Sequence, residues 1–423
     1  MAHILFISPY YPPEGGAASA CVNETAVRLL KRGHKVTVLT TMPNYPTGVI
    51  FPEYRGRLFQ EEVLDGVYVV RVWSWVGLNR SFPHRFLPLG EYSAWYLSFA
   101  FLAPLFGGRA VGHPDIIIVQ SPPLFDAIAV RLLAWWKRCP FIFMVSDLWP
   151  ETAIQLGALR SRILIRFSEW LEWSTYRRAT LVWVVTAWIR DKLIERGLPP
   201  ERVLLLTNGV NITKFCPLPQ AQARAELGWD NRFTVLYIGT CGVTHGLIAI
   251  IDAAEQLQGH EDIRFVLAGD GVDKQYLITE SQRRGLKNIS FLDPMSHGLV
   301  PTLLAAGDVC LAHVRKAPIT EGILPIKMFE AMACARPIVL GVDGEAHHMA
   351  VDEAGAAIYV EPENAAALAS AVLYLYEHPE LARALGARGR AYAEAYLDYD
   401  RLTAILDERI AMLLEKKEAL SGV

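Results

Sequence analysis

The residue pattern predicts an α/β protein made of two tandem, doubly wound units of about equal size. Short apolar runs alternate with helical stretches, which is the signature of parallel sheets covered by helices. Glycine-rich loops follow several of those runs, and a Pro- and Gly-containing loop near residue 208 divides the alternation into two series.

The first series opens at residues 3–8 (HILFIS), a short apolar run closed by Pro9, which reads as a buried strand. The loop PYYPPEGGAAS follows. Residues 20–32 then place Val22, Ala26, Leu29 and Leu30 on one helical face, and Gly33 stops the helix before the strand 35–40 (KVTVLT). Strand, glycine loop, helix, glycine stop and strand make a βαβ unit, so the sheet is parallel and its crossover right-handed. Residues 67–72, 115–120, 141–145 and 181–185 continue as strands, with a helix over 125–137. Residues 208–220 (NGVNITKFCPLPQ) read as the loop between units. The second series has strands at 234–239, 264–268, 289–292, 309–312 and 337–340, with helices over 247–257, 275–284, 326–335 and 365–376. Residues 401–417 form one amphipathic helix expected to pack back on the first unit. The expected domains are therefore 1–206, 207–395 and a terminal helix, 396–423.

Composition narrows the function classes. Hydrophobic residues are 52% of the chain and charged residues 20%, which excludes a disordered type. The mean hydropathy of +0.22 hints at membrane contact, although large buried sheets would raise it as well. Residues 1–200 carry 21 Lys+Arg and 15 Asp+Glu, a net of +6, and the remaining 20 and 29 give −9; the sum is the overall −3. A basic half suits an anionic lipid surface or a phosphorylated acceptor. No dense Lys/Arg run appears, so nucleic acid is a poor fit. None of the six cysteines has C-x-x-C spacing, and they fit a reducing cytoplasm as small buried residues. The chain opens directly into a strand-like run, so no secretory signal is expected. The longest apolar run, 92–106 (YSAWYLSFAFLAPLF), is too short to span a bilayer; it reads either as buried helix or as a segment lying in the membrane interface. Ten of the eleven tryptophans lie before residue 190, as interfaces often require.

Ligands of open α/β sheets bind at the carboxyl ends of the strands, so the loops there are the candidate sites. Gly15 and Gly16 follow the first strand and precede a helix, where backbone amides and a helix N-terminus can meet phosphate. Gly239 to Gly246 (GTCGVTHG) repeats that arrangement, with His245 as its one potential cation and Thr240 beside the first glycine. Gly269-Asp270-Gly271 follows the strand RFVLA as a turn. In 321–345 (EGILPIKMFEAMACARPIVLGVDGE), Lys327 sits in the first turn of a helix and Glu330 lies three residues on, on the same face. A first-turn lysine opposes the helix dipole, which makes sense with an anion present; Lys327 is therefore assigned to a diphosphate and Glu330 to a ribose diol. Asp147 closes the strand FIFMV, with Glu151 beside it, as an acceptor-side candidate.

The order of these pieces resembles the family 4 retaining glycosyltransferases. The first-unit glycine loop, NGVN…F at 208–215, GTCGVTHG, GDG at 269–271 and FEAMACARPIV at 329–339 match in sequence order over nearly the whole chain. The combinations MPNYPTG (42–48), SDLWPET (146–152), LPIKMFEAMA (324–333) and GVDGEA (341–346) are similar to bacterial transferases of O-antigen and capsule assembly, N-acetylfucosamine transferases among them. The chain departs from the family pattern at several points. Thr240 and His245 stand where the family has the Arg and Lys of its G-R-x4-K-G loop. The first of the family's paired acids falls on Gly322, with Glu321 one residue off, while the second maps to Glu330. Asn211 replaces the usual Asp after NGV, and Lys327, Arg315 and Lys316 are left to supply the missing positive charge.

The resemblance implies the GT-B fold, with two facing Rossmann-like domains and a cleft between them. It implies a nucleoside-diphosphate sugar as donor, expected to be UDP-linked, with retention at the anomeric carbon. The expected catalytic residues are Lys327, Asp147 and Glu321. Donor contacts are expected from Gly15, Gly16, Gly239, Thr240, His245, Gly246, Gly269, Asp270, Gly271, Arg315, Lys327 and Glu330. No metal or cofactor is expected beyond the donor itself. The expected acceptor is a polyprenyl-diphosphate-linked sugar, at the cytoplasmic face of the cell membrane. Two other readings stay open at this point: a nucleotide-sugar 2-epimerase, and a non-catalytic membrane-surface scaffold of the same fold.

Overall fold

The structure, a computed structural model, describes residues 1–45, 47–76, 91–155, 159–293, 295 and 298–421. The chain forms two compact units, one of residues 1–208 with 399–423 and one of residues 209–398. These divisions fall slightly later than the expected 206 and 395. Asn208 stays with the first unit, where its Oδ1 accepts from Cys21 Sγ at 3.4 Å. Leu397 stays with the second, where its carbonyl accepts from Val210 N–H at 2.8 Å.

Among the described residues the first unit holds eight strands: β1 (His3–Ile7), β2 (Lys35–Thr41), β3 (Phe59–Leu64), β4 (Val67–Val72), β5 (Ile116–Ser121), β6 (Phe141–Val145), β7 (Leu181–Val184) and β8 (Val203–Leu205). Their order is β3-β4-β2-β1-β5-β6-β7-β8, parallel except for the β3–β4 hairpin. That hairpin turns through Asp65 and Gly66, both at positive φ, as a two-residue turn requires. Strand β3 (FQEEVL) alternates exposed and half-buried residues at the sheet edge, and its acids hid it from an apolar-run search. The inner strands are buried from end to end, so they read as continuous apolar runs. Helices α1 (Ala17–Lys31), α2 (Glu91–Leu102), α3 (Asp126–Lys137), α4 (Glu151–Gln155), α5 (Arg162–Arg178) and α6 (Ala187–Glu195) cover the sheet. Helix α5 has exposed residues of both polar and apolar type, and the sequence pattern did not single it out.

The second unit is a six-stranded, all-parallel sheet of β9 (Phe233–Ile238), β10 (Ile263–Ala268), β11 (Ile289–Leu292), β12 (Val309–His313), β13 (Ile338–Gly341) and β14 (Ala357–Tyr359), ordered β11-β10-β9-β12-β13-β14. Its helices are α7 (Gln220–Leu227), α8 (Ile248–Gln256), α9 (Lys274–Arg283), α10 (Val300–Ala306), α11 (Ile326–Ala333), α12 (Glu345–His347), α13 (Ala365–Glu377) and α14 (Pro379–Tyr392). The last helix, α15 (Tyr399–Ser421), belongs to the first unit: Leu406 and Ile410 are fully buried there, and Asp407 accepts from Arg32 Nε at 2.6 Å. The run at 92–106 divides its two faces. Trp95, Phe99, Ala100 and Ala103 are buried, while Phe101, Leu105 and Phe106 are exposed. Among the described residues, no helix is long and apolar enough to cross a membrane.

Candidate active site

Each sheet has one place where the chain reverses its direction of travel across the strands. In the second unit β9 leads outward to β10, whereas β12, its other neighbour, leads outward to β13. Loops leaving the carboxyl ends of β9 and β12 therefore diverge and leave a crevice, the usual ligand position in an open α/β sheet. Residues 239–246 leave β9 at this point, and residues 314–325 leave β12.

The crevice is built on backbone-to-backbone contact. Gly269 and Gly271 lie at φ +145° and +152°, and a Cβ on them would fall 1.9 Å from the Gly239 carbonyl oxygen and 2.3 Å from that of Cys241. The Cys241 N–H donates to the Asp270 carbonyl at 2.8 Å, which joins the two loops. The GDG turn thus serves by holding the 239–246 loop in place, while the Asp270 side chain is exposed. Tyr237, buried in β9, donates its hydroxyl to the Thr240 carbonyl at 2.8 Å.

Lys327 reaches into this loop from α11. Its Nζ lies 3.8 Å from the centre of the Tyr237 ring and 2.7 Å from where a Cβ on Gly239 would sit. The amine is buried and has no hydrogen-bond partner. Burial pushes its pKa down to about 7, against a pull upward from Cys241 and Glu330. A buried amine without a partner is costly to leave unsatisfied, and an anion is the ligand that would satisfy it.

The neighbouring candidates are arranged differently from expectation. His245 is not a cation: burial, and then the charge of Lys327, push it down to about 4. Gly246 closes the short turn Val243–His245 in the left-handed region, just before α8 begins. Arg315 and Lys316, assigned to replace the missing family cations, face acids: Arg315 Nε is 3.5 Å from Glu363 and Lys316 Nζ is 2.7 Å from Glu361. The physical reason is that the loop after β14 brings two carboxylates to this edge. Glu321 ends a tight turn, Pro318–Gly322, with its side chain exposed; its backbone packs on Gly344, where a Cβ would fall 2.2 Å from the Glu321 carbonyl oxygen. Glu330 is half-buried on α11.

Two residues that the sequence reading missed hold this site. One is Tyr237, two positions before Gly239, which the strand pattern treats as ordinary core. The other is His313, buried at the end of β12. Its Nε2 accepts the Glu363 N–H at 3.0 Å, so Nδ1 carries the proton and donates to the His245 carbonyl at 2.7 Å. Burial lowers its pKa, in the same sense as the neutral ring those two hydrogen bonds require.

The first unit has the matching reversal between β1 and β5. Gly15 and Gly16 are exposed at the start of α1, and no side chain caps that helix. Beside them the buried Glu14, also missed from sequence, accepts the Asn44 N–H at 2.6 Å, the Tyr45 N–H at 2.8 Å and the Tyr11 N–H at 3.4 Å. Burial pushes its carboxyl up to about 7 despite those amides. Asp147, after β6, accepts the Thr152 hydroxyl at 2.7 Å, which ties it to the start of α4. Burial pushes it up to about 6, with Thr152 and Leu148 pulling the other way. It is an acid poised to exchange a proton near neutrality. Among the described residues, no group of three His, Cys, Asp or Glu side chains is placed to hold a metal ion.

Two doubly wound units, one with an anion-seeking lysine at its strand reversal, define a GT-B glycosyltransferase. Residues 16–209 match the glycosyl transferase 4-like domain, and residues 219–392 match the glycosyl transferases group 1 family. The chain belongs to the family 4 glycosyltransferases. It is 28% identical over 412 residues to the putative colanic acid biosynthesis glycosyl transferase WcaI of Escherichia coli, covering 94% of this chain and 97% of that one. Among solved structures it resembles sucrose-phosphate synthase from Thermosynechococcus elongatus, with a TM-score of 0.70, 18% identity, and coverage of 98% and 100%. It also resembles Anabaena Alr3699/HepE in complex with UDP and glucose, with a TM-score of 0.70, 19% identity, and coverage of 97% and 100%.

Proposed function

We propose that the protein transfers a sugar, with retention of anomeric configuration, from a UDP-sugar to a lipid-linked or oligosaccharide acceptor in cell-surface polysaccharide assembly. The observation that carries this reading is the Lys327 amine, buried, without a hydrogen-bond partner, and pressed against the glycine loop at the strand reversal. In the reaction the bond from the anomeric carbon to the diphosphate breaks, and negative charge grows on the leaving oxygen. Lys327 and the loop amides are already in place to receive that charge, so the electrostatic term needs no rearrangement. Glu330 accepts the ribose hydroxyls. The departing phosphate oxygen takes the acceptor proton as the new bond forms on the same face. No metal is needed for these steps. Asp147 orients the acceptor hydroxyl, and Glu321 faces the donor sugar.

The colanic acid assignment of the WcaI relative and the UDP of the HepE structure support the donor class and the setting. Peripheral attachment at the inner face of the cell membrane follows if the acceptor is a polyprenyl diphosphate. A panel of UDP- and GDP-sugars screened for thermal stabilisation tests the donor. A bound donor at about one hundred times its Kd adds about 2.7 kcal/mol. The wild type gains this from one UDP-sugar, and Lys327→Ala loses most of it. Equal stabilisation of both proteins overturns the assignment of Lys327. The stereochemical course is read from the product by NMR, and an inverted product overturns retention.

A further inference from the structure

We propose that the outer face of α3 and α5, with the exposed turn after α2, docks on an anionic bilayer surface. The inference rests on the reading of a lipid-borne acceptor for its purpose, and on the surface itself for its location. Helix α3 packs against both α5 and the Ala103–Gly107 turn. On α3, Leu132, Trp135 and Trp136 occupy positions i, i+3 and i+4 and all face outward, Trp135 at 80% exposure. On α5, Ile163, Phe167 and Trp170 occupy i, i+4 and i+7, with Ile163 at 80% and Trp170 at 57%. The turn after α2 adds Leu105 at 69% and Phe106 at 50%.

These side chains form one surface and are not scattered. Trp136 lies on Gly108, where a Cβ would fall 2.2 Å from its ring, which joins the turn to α3. Arg131 of α3 donates to Ser174 of α5 at 2.9 Å and lies over the Trp170 ring at 5.6 Å, which joins α3 to α5. A contiguous exposed apolar patch on this scale is rare on a free-standing protein and marks a contact surface.

Charge selects the occupant. Helices α3 and α5 carry Arg131, Lys137, Arg162, Arg166, Arg177 and Arg178. Of their three acids, Asp126 and Glu172 are buried, and only Glu169 is exposed. Lys137 lies over the Trp136 ring at 4.6 Å, and at the same end of α3 the tail helix brings Lys416 and Lys417 beside Arg138. Cations whose stems lie on tryptophan faces can keep their charges at headgroup level while the rings enter the acyl boundary. Protein interfaces, by contrast, deplete charge at their centres. Each lysine or arginine near an anionic bilayer strengthens attachment to it.

The test is flotation of the full chain with vesicles of phosphatidylcholine, with and without phosphatidylglycerol. The wild type should float with the anionic vesicles at least tenfold better than with the neutral ones. Trp135→Ser/Trp170→Ser and Arg162→Glu/Arg166→Glu should each lose at least tenfold. Both double variants change exposed residues far along the chain from the donor loops, and their donor-induced thermal stabilisation should be unchanged. A wild type that stays with neutral and anionic vesicles alike, or with neither, overturns the proposal. So does a wild-type dimer by analytical ultracentrifugation that the tryptophan variant breaks, since the face then joins two copies. Failure to float combined with intact transfer to a water-soluble short-chain acceptor overturns the docking face and leaves the transferase reading standing. Loss of transfer to that acceptor overturns the transferase reading instead.

Discussion

At the carboxyl end of β9 the crevice holds an amine with no hydrogen-bond partner; at the carboxyl end of β1 the crevice holds a carboxyl that accepts from three amides. The two crevices share a topology, a glycine loop and a following helix. They differ in what burial does to the group inside. Lys327 is held near the point of losing its proton and gains from any anion that arrives. Glu14 is held near the point of gaining one, and its oxygens already hold the Asn44 and Tyr45 amides. One topology therefore buries an amine without a hydrogen-bond partner in one unit and a carboxyl that accepts from three amides in the other. Tyr10, Tyr45, Trp95 and Tyr96 pack as a ring cluster beside Glu14, with Tyr10 and Tyr96 hydroxyls 3.0 Å apart. Aromatic surface of that type suits an uncharged sugar better than a diphosphate.

The sharpest way to break this contrast is Lys327→Ala. Loss of one preorganised charge donor to a leaving group costs about 3–4 kcal/mol, so kcat should fall at least a hundredfold. Thermal stability without ligand should hold or rise, because an uncompensated buried amine is removed. An activity within threefold of wild type would put the diphosphate elsewhere.

Gly271→Ala comes next. The added methyl would meet the Cys241 carbonyl at 2.3 Å, in a backbone region that L side chains avoid. Overpacking of this kind costs about 1–3 kcal/mol, read as a lower Tm, and the displaced loop should weaken donor binding together with stability. Gly15→Ala, whose added methyl meets nothing within 4 Å, should leave stability within about 0.5 kcal/mol. If both variants behave alike, the first-unit loop is also built on close contact and the contrast fails.

A pH series sharpens it further. The Lys327 ammonium has a pKa of about 7 in the ligand-free fold, below its ordinary value of 10.5. Between those values the unfolded chain holds more protons at this position than the folded chain. Stability of the ligand-free protein therefore rises with pH across that window, by at most about 1.4 kcal/mol per pH unit, and the penalty is fully present below pH 7. Donor binding restores the proton, so affinity falls across the same window, by up to about tenfold per unit. Lys327→Ala should flatten both slopes, measured by denaturant titration and calorimetry.

Much of the fold was legible because buried parallel strands are continuous apolar runs, as in β1, β5, β6 and β10. Strand β3 was not, since its edge position tolerates the adjacent Glu61 and Glu62 and breaks the apolar run. Helix α5 was not, since exposed Ile163 and Trp170 blur its stripe. At the site, Lys327 and the glycine loops carry their own signal in composition and spacing. His245 looked cationic because sequence does not show burial, and Arg315 looked available because Glu363 lies far along the chain. His313 and Glu14 act through backbone amides and carbonyls, which leave no trace in residue type.

Glu14→Gln is the mildest test. The Glu14 carboxyl is pushed up to about 7 from an ordinary 4.5, so between those values the folded chain holds the extra proton. Stability from this group is therefore greatest below pH 4.5, declines as pH rises toward 7, and the penalty is complete above 7. Glutamine keeps a carbonyl oxygen for the Asn44 and Tyr45 amides and carries no charge to bury. At pH 6 the variant should match the wild type within about 1 kcal/mol. Above pH 7 it should become the more stable of the two, and its own profile from pH 4.5 to 7 should be flatter. A variant that loses ground as pH rises would mean that the three amides outweigh burial, and that Glu14 serves the first unit as a fixed anion.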